Sequence, residues 1–304
     1  MLEEVILSKY RGFCAGVDYA VNALEDLLKL TKPIYAKHKI VHNNYVVDGF
    51  KKRGAIFVEN LEEVPRGNIV VLSAHGSSKD AKEHAKELGL KIYDAVCPLV
   101  AKVQNEAIKY NSLGYDIIYI CHPEHIESKG IMSFAPMHII QNSDDLINLD
   151  IKNNKISILT QTTLSLDEIN PIIDKIKEKY PEAELPRKDD VCYATQNRQD
   201  SIKEISKLTD LVLVIGADIS SNSKRLEDVS RRINPRTYLI ESYHDINKGW
   251  LNGVKKLGIT LSASTPEFLL EETLQCLRLE YGKFNIVNKN KIDEGIKFKP
   301  LTLK

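Results

Sequence analysis

The sequence predicts a parallel α/β protein. Two observations carry the prediction: short β-branched runs that read as strands, and amphipathic stretches at helical spacing that alternate with them almost throughout. Continuously apolar strands need cover on both sheet faces, and intervening helices supply it. In chain order the strand-like runs are Glu4–Leu7, Ala55–Val58, Ile69–Leu72, Ile117–Ile120, Ile156–Leu159, Leu211–Ile215 and Tyr238–Ile240. The clearest helix runs from Ala15 to Leu30, with Val17, Ala20, Val21, Leu24, Leu27 and Leu28 at helical spacing. Other helices are expected to begin near Leu99, Ser165, Thr195, Ser221 and Pro266. After Gly282 the chain is polar, Lys- and Asn-rich and poorly patterned, which reads as an extended strap or a loose end.

The 304 residues suit about two domains, or three small ones. Hydrophobic residues make up 43% and charged residues 28%, so most of the chain has material for a folded core. Lys+Arg and Asp+Glu are equal at 42 each, which argues against a nucleic-acid binder working through bulk positive charge. No apolar run approaches the roughly 18 residues that a membrane span needs. The start, Met1-Leu2-Glu3-Glu4, carries no basic region or signal-peptide core.

Five cysteines are too few and too scattered for a disulfide scaffold, and a reducing compartment is the natural setting. Three of them share one local context. Cys14 follows the run from Val5 to Phe13, Cys97 follows Lys91–Val96, and Cys192 follows Arg187–Val191; each precedes a helical pattern. This suggests three similar α/β units, each presenting one thiol at a strand-to-helix turn, where a helix N-terminus favours the thiolate. The domains then read as 14–97, 98–192 and 193–281, the last joined by the N-terminal strand 1–13, with a tail at 282–304. Three thiolates would need a cation between them. Spacing alone leaves zinc, an iron–sulfur cluster with one open iron, and plain buried packing all in play. Cys121, ending an apolar run, and Cys276, among Leu269, Leu270, Leu274 and Leu277, read as packing.

Four further strand-to-helix turns are rich in hydroxyls: Ala74-His75-Gly76-Ser77-Ser78, Gln161-Thr162-Thr163-Leu164-Ser165, Ser220-Ser221-Asn222-Ser223 and Ser262-Ala263-Ser264-Thr265. One such turn would be helix capping; four point toward a phosphate or diphosphate cradle built on helix N-termini. There is neither a G-x-x-x-x-G-K-[ST] nor a G-x-G-x-x-G, so ATP or NAD chemistry has no support. His42, His75 and His125 also follow strand-like runs, and together they suit anion binding or proton transfer. Glu127, close to His125, is a candidate proton donor whose carboxyl would be raised in a closed pocket.

At these residues the sequence resembles the LytB/IspH family, the 4-hydroxy-3-methylbut-2-enyl diphosphate reductases. The matching segments are Arg11–Val17, Val41–Asn43, Ser73–Gly76, Val96–Val100, Thr160–Ser165, Asp190–Arg198 and Ser220–Ser223, in order over about residues 5 to 281. The resemblance implies three small α/β domains with parallel sheets, arranged as a trefoil around a central iron–sulfur cluster. It implies a [4Fe-4S] cluster on Cys14, Cys97 and Cys192, with one iron open to the substrate. It assigns substrate binding to His42, His75, His125, Thr162, Ser220, Ser221, Asn222 and Ser264, and proton supply to Glu127. The implied reaction is reductive dehydroxylation of an allylic diphosphate to isopentenyl and dimethylallyl diphosphate, the last step of the methylerythritol phosphate route. No flavin or nicotinamide motif is present, so an outside donor, a ferredoxin or flavodoxin, is implied. A monomer or weak homodimer is expected, with no nucleic acid or membrane partner, in bacterial cytoplasm or, for a processed eukaryotic form, a plastid-type organelle stroma. The chain departs from the family at His125-Ile126-Glu127-Ser128-Lys129-Gly130-Ile131, where the family usually reads His-Pro-Glu-Val-Glu-Gly-Thr; His125 and Glu127 are kept. Leu261-Ser262-Ala263-Ser264 also differs slightly from the usual Thr-Ala-Gly-Ala-Ser and keeps Ser264.

Overall fold

The structure is a computed structural model that describes residues 2–186 and 190–300. Arg187, Lys188 and Asp189 of the run before Cys192, and the last four residues of the tail, lie outside the described residues.

The chain begins β1 (Glu4–Leu7), α1 (Ala15–Leu30), β2 (Ile34–Lys37), α2 (Asn44–Arg53), β3 (Ala55–Val58), β4 (Ile69–Leu72), α3 (Lys79–Glu87) and β5 (Lys91–Asp94). It continues α4 (Pro98–Ser112), β6 (Asp116–Ile120), α5 (Ile126–Met132), β7 (His138–Ile140), β8 (Ile156–Thr160) and α6 (Leu166–Lys179). The last part holds α7 (Tyr193–Leu208), β9 (Leu211–Ile215), α8 (Ser221–Arg231), β10 (Thr237–Ile240), β11 (Lys256–Leu261), α9 (Phe268–Tyr281) and β12 (Asn285–Val287).

The seven runs given above as strands are strands, and every expected helix forms; the run before Cys192 is not a strand at its described residues, Asp190 and Val191. The strands build three separate sheets, ordered β10-β9-β11-β1-β12, β3-β2-β4-β5 and β7-β6-β8. All their pairings are parallel. Strand β9 is buried along its whole length, as a continuously apolar central strand should be. The sequence pattern misses β7 and β12, which are three-residue edge strands, and β2, which is only four residues long. It also misses α3, which buries only Ala85 and so shows no apolar stripe.

By compactness the chain divides into two units. The first comprises Met1–Val17, His42–Val46 and Tyr193–Lys297, and contains the five-stranded sheet. Its core gathers Val5, Leu7, Leu213, Ile215, Ile259 and Leu261 with Leu269 and Leu277 of α9. The second comprises Asp18–Val41, Val47–Cys192 and the chain from Phe298, and contains the other two sheets. The three-stranded sheet packs Ile118, Ile120, Ile156 and Ile158 against Ile169, Ile172, Ile173 and Ile176 of α6. Each isoleucine or leucine so buried contributes roughly 1.5–3 kcal/mol.

Candidate active site

The predicted residues fall into two groups, one on each unit. On the first unit, β1 runs toward Cys14, which lies directly before α1 and is half-buried. The Cys14 N–H donates to the Ala263 carbonyl at 3.3 Å, extending the parallel run of β1 beside β11. The Ala263 N–H in turn donates to Asn222 Oδ1 at 2.8 Å. One residue, Ala263, therefore joins the thiol turn to the start of α8. Ser264 Oγ donates to the His42 carbonyl at 3.2 Å, which brings the His42 turn to the same place.

Ser220 performs the capping job that its residue type allows: its Oγ accepts the Ser223 N–H at 3.3 Å. The same turn has donors to spare. Asn222 Nδ2 and Ser223 Oγ are buried and have no hydrogen-bond partner among the described residues. Buried polar groups are normally satisfied, and donors left over at a helix N-terminus suit an anion. Gly216 keeps this turn open. A Cβ there would collide with the Ser223 hydroxyl and stand 2.8 Å from Ser262 Oγ. Gly216→Ala should displace the Ser223 turn and weaken binding of inorganic diphosphate about tenfold or more, the scale of an overpacking penalty. Isothermal titration checks this, and unchanged affinity would remove the turn from the anion site.

The second unit repeats the thiol arrangement twice. Cys97 is the N-cap residue of α4, with Pro98 opening the helix, and its N–H donates to the Ala74 carbonyl at 2.9 Å. Cys192 directly precedes α7, and its N–H donates to the Thr162 carbonyl at 2.9 Å. All three thiol turns are thus tied by a backbone N–H to one of the hydroxyl-rich turns. None of the three thiols is in a disulfide, and all three are half-buried. Cys121 differs: it is buried, and burial pushes its thiol up to about 12, so it is inert packing. Cys276 is half-buried on α9 and not the core residue expected. Among the described residues, no three His, Cys, Asp or Glu side chains gather as ligands of a single ion.

Ala74 leads to His75, whose ring meets that of His125 edge-on at 6.2 Å between centroids. Gly76 takes φ +80°, and a Cβ there would press on Gln104, Val96 and Val100. His125 caps α5: its Nδ1 accepts the Glu127 N–H at 3.3 Å, which leaves the ring proton on Nε2. Burial, helped by His122 nearby, lowers its pKa to about 4. The ring is therefore a neutral donor near neutral pH, and not the charged anion binder that the sequence allows.

Glu127 is fully enclosed. Its Oε1 accepts the Thr162 N–H at 2.8 Å and its Oε2 accepts the Thr162 hydroxyl at 3.0 Å. Burial raises its pKa to about 7 against the opposing pull of those two bonds, with the negative Asp190 adding to the rise. A carboxyl balanced at neutrality is what a general acid needs.

Two residues inside the recognised motifs carry roles that sequence reasoning did not assign. Gln161 is fully buried; its Oε1 accepts the His122 N–H at 3.0 Å and the Ser128 hydroxyl at 3.4 Å, and its Nε2 donates to Thr163 Oγ1 at 3.0 Å. It ties the turn holding Glu127 to the turn holding Thr162. Asp190 accepts the Thr160 N–H at 2.9 Å and pairs with Lys102 of α4 at 2.8 Å, joining the segment before Cys192 to the helix after Cys97. A buried Gln within a strand-to-helix turn was the available signal for the first; nothing local signals the second.

The chain as a whole is similar to known proteins. The chain is 43% identical to 4-hydroxy-3-methylbut-2-enyl diphosphate reductase of Colwellia psychrerythraea, over 97% of each chain. It is also 43% identical to the protein of that name from a Wolbachia pipientis strain, over 97% of this chain and 98% of the relative. The solved structure of E-1-hydroxy-2-methyl-but-2-enyl-4-diphosphate reductase from Plasmodium falciparum superposes with a TM-score of 0.92 at 38% identity, covering 99% of this chain and 95% of that one. A second solved reductase, described as the terminal enzyme of the non-mevalonate pathway, matches at TM-score 0.67 and 28% identity, over 91% of this chain and 100% of that one. The sequence model described as LytB protein matches residues 5–278, and with it the chain belongs to the LytB family.

Proposed function

We propose that the protein reduces 4-hydroxy-3-methylbut-2-enyl diphosphate to isopentenyl and dimethylallyl diphosphate. The observation that carries this is the buried Glu127 held by Thr162, beside a thiol turn anchored on the same residue. Two electrons and two protons replace the substrate hydroxyl with hydrogen and release water. Cys14, Cys97 and Cys192 are the proposed holders of a [4Fe-4S] cluster with one open iron. Their helix N-terminal positions support it, and a cluster takes one thiolate per iron, so its ligands need not gather about one ion. When bound, such a cluster supplies Lewis acidity toward the hydroxyl and single-electron steps.

The residues do the rest. The α8 turn, with the spare donors of Asn222 and Ser223, receives the diphosphate together with Ser220, Ser221, Ser264 and His42. His75 and His125, on the second unit, are the further proposed substrate-holding residues, His125 as a neutral Nε2–H donor. Glu127 releases a proton from its carboxyl toward the leaving hydroxyl, and the Thr162 hydroxyl and N–H steady the carboxylate that remains. The electrons come from a ferredoxin or flavodoxin, in bacterial cytoplasm or a plastid-type stroma, to a monomer or weak homodimer. Three α/β domains, 14–97, 98–192 and 193–281 with strand 1–13, complete the proposal, and the three separate sheets support it.

The test is anaerobic turnover with a low-potential reductant. Conversion of the named substrate to the two diphosphate products, seen by mass spectrometry, is the expected result. Unchanged substrate with a loaded cluster would overturn the assignment.

A further inference from the structure

The buried cation Arg198 has no place in the chemistry above. It is the largest fully buried side chain among the described residues, 1% exposed. Its Nη2 donates to the carbonyls of Gly12 at 2.8 Å and Phe13 at 3.3 Å, and its Nε to Gly12 at 3.2 Å. These two carbonyls immediately precede Cys14. Its Nη1 donates to the Ala194 carbonyl at 2.8 Å, inside the first turn of α7. A guanidinium this deep needs a carboxylate, because an unpaired buried charge is strongly unfavourable.

The carboxylate comes from the tail. Glu294 accepts from Arg198 Nη1 with both oxygens at 3.1 Å, and from Asn197 Nδ2 at 3.0 Å. The tail reaches this point along a line of anchors on the segment that leads to Cys14. Strand β12 pairs with β1 through Glu4, Val5 and Ile6. Asn288 Nδ2 donates to the Leu7 carbonyl at 3.2 Å. Arg11, whose side chain is 2% exposed, donates to the carbonyls of Asn288 and Lys289. The Ile292 N–H donates to the Lys9 carbonyl at 2.9 Å. The tail thus follows residues 4 to 11 step by step and ends its run on the clamp that grips residues 12 and 13.

We infer that the C-terminal strap is the positioning device of the Cys14 turn, with Glu294 and Arg198 as its positioning residues. Glu294 neutralises Arg198, and Arg198 fixes the two carbonyls that set the direction of the Cys14 thiol. The inference deepens the proposed function, since Cys14 is there a cluster ligand, but it makes its first prediction on protein without cluster.

In cluster-free protein the iodoacetamide labelling rate of Cys14 is measured by peptide mass spectrometry against Cys276, the half-buried thiol on α9 of the same unit. Glu294→Ala should raise the Cys14/Cys276 rate ratio about tenfold by easing local opening of the turn. Glu294→Gln, which keeps hydrogen bonding and loses charge, should raise it less. Glu204→Ala, which removes the exposed partner of Lys9, should leave it unchanged. An unchanged ratio in both Glu294 variants would overturn the inference, as would equal acceleration of the two thiols, which marks general loosening. If Glu294→Ala does not fold, the ratio in Glu294→Gln decides alone. In loaded protein the same variants should lose visible cluster absorbance faster under oxygen. A raised labelling ratio with unchanged cluster loss would support the strap and count against Cys14 as a ligand.

Discussion

Glu127→Gln should lower kcat by about 10²–10⁴-fold, the range for removing a general acid, while the KM for substrate stays near that of the parent. The carboxyl is buried, and it is held by the Thr162 N–H and hydroxyl, which a glutamine side chain can still engage. Binding geometry therefore survives and the transferable proton does not. With a pKa of about 7, the parent should hold its activity below neutrality and lose it as pH rises through that value. Glu127→Gln should show no such limb. Normal turnover by the variant would take Glu127 out of the proton path.

The same substitution carries a stability signature of the opposite sign. The folded value lies well above the ordinary 4.5, so between 4.5 and about 7 the folded protein holds a proton that the unfolded chain has lost. Stability from this group is fully present below 4.5 and falls as pH rises through that window. At pH 8 the parent buries a charge and the glutamine variant does not. The variant should then be more stable by about 3 kcal/mol, and equal to the parent near pH 4. Denaturant titration of cluster-free protein at the two pH values checks this. A variant less stable than the parent at pH 8 would mean that the carboxylate is well satisfied where it lies.

Cys97→Ser should lose cluster and activity together, down to the background of the assay. The cause is local: a hydroxyl at the N-cap of α4 keeps the helix and the bond to Ala74 but cannot supply a thiolate. Cys121→Ser is the contrasting variant. That thiol is enclosed in the core beside Tyr119 and Ile131, and burial holds it protonated. It should cost stability and leave cluster content untouched. A full cluster in Cys97→Ser, read by iron content and visible absorbance, would end its ligand role.

Much of this was legible in the sequence because it is local. Leu211–Ile215 is apolar at every position, and only a strand buried on both faces needs that. Cys14, Cys97 and Cys192 announce themselves by standing between a run and a helical pattern. Ser220-Ser221-Asn222-Ser223 announces a helix N-terminus with more hydroxyls than one cap uses. What stayed hidden depends on residues far apart in the chain. Edge strands such as His138–Ile140 bury little and show no pattern. That Glu127 is neutralised by enclosure, and His125 held uncharged, follows from packing that no motif encodes. Glu294 reads as one charge in a polar tail until Arg198 is found beneath it.

The measurement that bears most directly on the whole account is the iron, acid-labile sulfide and zinc content of protein purified without oxygen. About four iron and four sulfide per chain, and no zinc, are expected. Zinc without sulfide would contradict the proposed cluster.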